Sequence, residues 1–214
     1  MITLENLSRG EALRYLGGAN AEPDKKMLSL LDECEEQVIR RASPKYLYTP
    51  LDLPCSELEA GNDIKNHLSG CKKAVLMCAT LGADIDKLIR VNQITNLARA
   101  VVLDSFASVA IEQVCDKAEL EIAEKFPGYY LTFRFSPGYG DYPISLQKYF
   151  LTKLDARRKI GLSVNESSIL IPSKSVTAVI GLSENPVEQK RRGCAVCNLR
   201  KTCRYRKRGE HCGF

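Results

Sequence analysis

Tyr129-Tyr130-Leu131-Thr132-Phe133-Arg134-Phe135-Ser136-Pro137-Gly138-Tyr139-Gly140 begins as an aromatic, β-branched strand over 129–134 and then breaks into a turn with an arginine at its mouth. Pro137-Gly138 suits a tight turn that brings backbone N–H and C=O groups close to a ligand. A guanidinium there can hold a carboxylate through two parallel hydrogen bonds, and Tyr139 adds a flat ring or a hydroxyl. The same residues also suit a surface β-turn carrying a solvated arginine.

Upstream, Pro127-Gly128 stops a helical pattern that starts near Asp84 and reads as one long helix from Thr95 to Phe126. Leu97, Val101, Asp104, Ser108, Ile111 and Cys115 recur at three- and four-residue spacing and so share a helical face, which Asp104 interrupts. A carboxylate there is costly unless paired or hydrogen-bonded. An ion pair or a wet helix edge is one reading of it. An anion that holds a cationic ligand group, such as an amine or a sulfonium, is the other.

Earlier still, helices are expected over 6–17 and from Glu22-Pro23-Asp24 to Ile39, and a strand over 45–50 that ends at Pro50. The apolar run Lys73 to Leu81, closed by Gly82, reads as a buried strand. Downstream come a helix over 146–160, strands over 168–172 and 175–182, and a linker at Asn185-Pro186. The class is α+β without regular βαβ alternation. The chain divides into an N-terminal helical segment (1–69), a core (70–185) and a tail (186–214).

At 214 residues, 44% hydrophobic and 27% charged, this is an ordinary globular composition with enough chain for a real core. No apolar run is long enough to cross a bilayer, and the first residues lack the basic and apolar regions of a secretory signal. Nine cysteines are an odd count for a disulfide framework, so a reducing, cytoplasmic compartment is expected.

The charge is unevenly placed. Nine of the 31 basic residues lie between Gln189 and Phe214, where Glu210 is the only acid, which leaves the rest of the chain mildly acidic. Within that basic tail, Cys194, Cys197, Cys203 and Cys212 set four soft ligands close together and point to a metal centre, either zinc or an iron–sulfur cluster. A tail of this kind also fits a nucleic-acid-binding protein, although the body offers neither a basic face nor an aromatic stacking motif.

Three blocks resemble one known family. Arg134-x-x-x-Gly138-Tyr139 is similar to the Arg-x-x-x-Gly-Tyr signature of the reactivation domain of cobalamin-dependent methionine synthase. Asp104-Ser105-Phe106-Ala107, with Glu112 further on, resembles the acidic stretch of that family's long helix, and Pro172-Ser173-Lys174-Ser175-Val176-Thr177-Ala178 resembles its Pro-x-x-Ser-Val-Ser-Gly stretch. The likeness covers about residues 70 to 183 and departs at Gly140, where the family usually has proline.

The resemblance implies a mostly antiparallel sheet packed with helices. It implies S-adenosylmethionine bound by Asp104, Arg134, Ser136, Pro137, Gly138, Tyr139, Ser175 and Thr177. It further implies reductive methylation of cobalamin held by a separately encoded corrinoid methionine synthase, with one electron from a donor protein, and no general base in this chain. A need for that electron favours iron–sulfur over zinc in the tail. An independent small-molecule methyltransferase is disfavoured, because no Gly-rich strand–turn–helix fingerprint is present.

Overall fold

Residues 2–17 and 22–187 are described by the structure, a computed structural model. In chain order the elements are α1 (Arg9–Tyr15), α2 (Lys25–Arg41), β1 (Lys45–Asp52), α3 (Asn62–His67), β2 (Cys71–Thr80), α4 (Ala83–Thr95) and α5 (Leu97–Lys125). These are followed by β3 (Tyr130–Leu131), α6 (Gln147–Leu154), α7 (Ala156–Ile160), β4 (Ser163–Val164), β5 (Leu170–Ile171) and β6 (Ser175–Ser183).

The apolar run in β2 is continuous because both its faces are covered. Val75, Met77 and Ala79 join the core under α5, whereas Ala74, Leu76 and Cys78 join a second core with Phe150 and Leu154 of α6. β2 and β6 are the inner strands of a sheet ordered β1-β2-β6-β3, in which every pairing is antiparallel. β4 and β5 form a separate antiparallel pair. The expected α+β class with an antiparallel sheet is therefore found. β1 pairs with β2 across the boundary expected at residue 69.

α5 packs against α1, α2, α4 and the sheet, and an Asn96 side chain that accepts from Arg99 N–H at 3.1 Å caps its start. Its buried stripe runs through Leu103, Phe106, Ala110, Val114, Ala118 and Ile122. Leu97, Val101 and Asp104 lie exposed beside that stripe, so the expectation that Asp104 interrupts an apolar face is corrected. Leucine and valine at the helix start mimicked a core pattern that the neighbouring helices do not reach.

Other boundaries also move for local reasons. β1 runs through Pro50 to Asp52, because it is a sheet edge and an edge strand tolerates a residue with no N–H. The helix expected over 146–160 is two, broken where Asp155 takes the left-handed conformation at φ 53°. The strand expected over 129–134 has ladder pairing only at Tyr130 and Leu131, with a single further bridge from Phe135 to Val179. No helix among the described residues is long and apolar enough to cross a membrane.

Candidate functional site

Along its outer edge β6 is bonded at Ser183 and Leu182 by β3, and at Val179 by Phe135. Between them Thr132 bonds Gly181: its N–H donates to the Gly181 carbonyl at 3.0 Å and its Oγ1 accepts from Gly181 N–H at 2.8 Å. Phe135 and Val179 exchange both N–H···O bonds, at 3.0 and 2.9 Å, so Thr177, two residues along, turns its own N–H and C=O toward the same edge. By register the next residue opposite is Pro137, which has no N–H to donate. The sheet stops there. An open cleft of about 220 Å³ takes its place, with walls from Ser136, Pro137 and Tyr139 of the segment after β3 and from Ser175, Val176 and Thr177 of β6.

The turn that closes the cleft is the one expected from Pro137-Gly138. Tyr139 N–H donates to Ser136 C=O at 3.1 Å, Gly138 sits at φ 97°, and its N–H donates to Tyr142 C=O at 2.8 Å. Proline followed by a positive-φ glycine is the pattern of a type II turn. The exposed Tyr139 ring rests edge-on against Phe135, with centroids 6.1 Å apart.

Gly140 and Asp141 then fasten this loop to α3. Asp141 accepts from Asn62 N–H at 2.8 Å and Asp63 N–H at 3.0 Å, and Asp141 N–H donates back to Asp63 at 3.2 Å. These bonds cap a helix whose own N-cap, Gly61, has no side chain, and they hold the Asp141 carboxyl below its usual pKa.

Arg134 points along α5 rather than to solvent. Its guanidinium meets Glu112 at 2.8 Å, Asp116 at 2.9 Å and Glu119 at 3.1 Å, and only 11% of the side chain is exposed. Burial opposes its charge, but Cys115, Glu119, Glu112 and Asp116 outweigh that effect and raise the arginine pKa. The solvated-arginine reading is thus overturned. One cation among three carboxylates leaves a net negative cluster, of which Glu112 and Arg134 line the cleft.

Asp104 is placed elsewhere. Its carboxylate pairs with Lys174 at 2.9 Å, and the same ammonium donates to Ser108 Oγ at 2.9 Å. Asp86 receives Ser173 N–H and Oγ–H, each at 2.7 Å, while Ser175 Oγ–H bonds Pro172 C=O at 2.7 Å. Together these bonds anchor the Pro172–Ser175 turn that starts the β6 wall. Asp104 therefore pins a cleft wall from behind. The acid that faces the cleft is Glu112, which sequence reasoning noted only as a neighbour of the Asp104 block.

Two residues that sequence reasoning missed or left unexplained stand out. Gln147, at the start of α6, lines the cleft with Leu170 of β5. Gln147 Oε1 and Thr177 Oγ1 are both buried and have no hydrogen-bond partner among the described residues. An unpaired buried polar atom costs free energy in the empty site and is relieved by a ligand that pairs with it. Nothing in the sequence around Gln147 marks it, because its position depends on the fold.

The structure superposes on a solved structure described as the MetH reactivation domain bound to AdoHcy, with a TM-score of 0.58; the match covers 82% of this chain and 73% of that chain at 12% identity. This chain has the reactivation-domain fold. No protein-family model matches the sequence, and no curated protein matches it. The fold expected from the three sequence blocks is therefore found, and the reactivation-domain fold brings two of those blocks, around Arg134 and Ser175, together as opposite walls of one cleft. Cys194, Cys197, Cys203 and Cys212 lie outside the described residues. Among the described residues no cluster of three or more metal-ligating side chains forms, and the five described cysteines are free thiols.

Proposed function

We propose that this chain binds S-adenosylmethionine in the β6-edge cleft and presents it to a corrinoid methionine synthase for reductive methylation of its cobalamin. The observation that carries the reading is the Arg134–Glu112 ion pair lining a cleft in a fold shared with an AdoHcy-bound domain. S-adenosylmethionine, when bound, supplies an activated methyl group, and this chain's residues bind, orient and shield it.

The residues fit such a ligand. A zwitterionic amino-acid end can insert into the ion pair without changing its net charge, the carboxylate taking Arg134 and the ammonium or sulfonium taking Glu112. Thr177 Oγ1 and Gln147 Oε1 offer polar atoms that are unpaired among the described residues, on residues that line the cleft. The cleft's modest size leaves part of the ligand uncovered, as delivery to a second macromolecule requires. A corrinoid partner and a one-electron donor are the proteins this role needs. The basic four-cysteine tail would hold zinc or an iron–sulfur cluster, and the latter could relay the electron.

Calorimetry with S-adenosylmethionine tests the site. Arg134→Ala should weaken binding by about 2–4 kcal/mol, as for loss of one partner of a buried charge pair. Unchanged affinity in that variant would remove Arg134 from the site, and no binding by the wild type would remove the function.

A further inference from the structure

The cleft straddles the sheet, and its chemistry differs on the two sides. Val176 packs toward the core under α5, the side of Glu112 and Arg134, as do Ala178 and Ile180 further along β6. Alternation along the strand turns Thr177 the other way, with Val179, into the core under α6 where Gln147 and Leu170 stand. Ionic groups thus occupy one side of the β6 edge. A neutral amide, a hydroxyl and an apolar leucine occupy the other. A ligand with a charged amino-acid end and an uncharged aromatic base fits that division in one orientation, because a base buried among carboxylates and an ammonium facing leucine would each lose solvation without a partner.

We infer that Gln147 reads the base: its Oε1 accepts a hydrogen bond from the 6-amino group of adenine, which makes it a specificity-determining residue of the cleft. The inference rests on the reading of the cleft as an S-adenosylmethionine site. Gln147 Oε1 is buried without a partner among the described residues, and Gln147 as a whole is only 9% exposed, so a ligand donor that pairs with this acceptor is strongly favoured over one that cannot. A carboxamide is well matched to adenine, accepting from the amino group while donating to the adjacent ring nitrogen. A purine without the amino group leaves Oε1 unpaired, and a site built around a hydrogen bond rejects ligands that cannot make it.

The test uses the full chain and two ligands, S-adenosylhomocysteine and its counterpart without the 6-amino group, titrated by calorimetry into wild type, Gln147→Met and Gln147→Glu. The wild type should prefer the adenosyl ligand by roughly tenfold or more. Gln147→Met, close in length but lacking the acceptor, should bind both ligands about equally, with a ligand-free melting temperature no lower than wild type. Gln147→Glu keeps an acceptor and should keep the preference. The inference is overturned by a wild type without preference, by a preference that survives in Gln147→Met, or by its loss in a folded Gln147→Glu. In each case adenosyl binding by the wild type leaves the ligand assignment standing, whereas no binding by the wild type overturns both.

Discussion

At the scale of single residues, Arg134 explains why one positively charged side chain can serve both the fold and a ligand. Glu112, Asp116 and Glu119 recur at four- and three-residue steps on α5, so one guanidinium reaches all three. The planar fork that braces the strand against the helix is also the group able to exchange one acid for a ligand carboxylate. Glu112 and Asp104 can be separated by experiment. Glu112→Gln should weaken S-adenosylmethionine binding by about 1.5–3 kcal/mol, the range for a hydrogen bond to a charged group. Asp104→Asn should change it by less than about 1 kcal/mol, because the Lys174 pair is partly exposed and outside the cleft. The reverse order in calorimetry would move the ligand's cationic end to Asp104.

At the scale of elements, the loop after Tyr139 is tied to α3 at very short range. A Cβ on Gly140 would fall 1.9 Å from Asp63 Oδ2, and the backbone there holds φ 54°. Gly140→Ala should destabilise the protein by at least about 1 kcal/mol. Since the same loop carries Tyr139, ligand affinity should fall as well; chemical denaturation and calorimetry would check the two effects. The clasp gives a physical reason for glycine at this position, because a proline ring no more fits against Asp63 than a methyl group does.

A second tie joins β1 to α5: Tyr46 and Tyr48 both donate to Glu121, the latter at 2.7 Å. Those two bonds lower the Glu121 pKa, and burial together with the Glu121 bond pushes Tyr46 up to about 12. The signs give opposite pH limits. Glu121, depressed in the folded state, adds stability above its ordinary carboxyl range, and that stability is lost as pH falls through the folded value. Tyr46, raised in the folded state, adds stability that is present below about pH 10 and lost as pH climbs toward about 12. Urea midpoints measured against pH should show the gap between wild type and Glu121→Gln closing in acid, and that between wild type and Tyr46→Phe closing in alkali.

At the scale of the whole molecule, the charge division predicts modular behaviour. The mildly acidic body carries the cleft, and the basic tail carries the four cysteines. In a tail so rich in charge, metal ligation by the four cysteines would supply folding energy. Cys197→Ser should release the metal, read by elemental analysis and by colour if the centre is iron–sulfur, and leave S-adenosylmethionine affinity within about twofold. Joint loss of metal and ligand binding would show that the two units depend on each other. Recovery of a corrinoid protein from native extract supports the partner reading, whereas nucleic acid released by modest salt would favour the alternative drawn from the basic tail.

The sequence by itself determined the features that depend on neighbours along the chain. The long helix up to Lys125, the buried β2 run, the Pro137-Gly138 turn and the paired β6 pattern all follow from local periodicity and backbone preference. Three spaced blocks were enough to indicate the fold. Only the tertiary structure decided which side chains share a cleft. Whether Asp104 or Glu112 faces it depends on how α5 is rotated against the sheet, and a helical spacing is satisfied equally by the exposed Leu97–Val101–Asp104 row and the buried row beside it. Gln147 and Thr177 line one cleft from elements separated by the β4–β5 pair, so no local signal marks their oxygens, which are unpaired among the described residues. Residues close in sequence obey local geometry; a site made from a helix start, a turn and a strand edge exists only once long-range packing has brought them together.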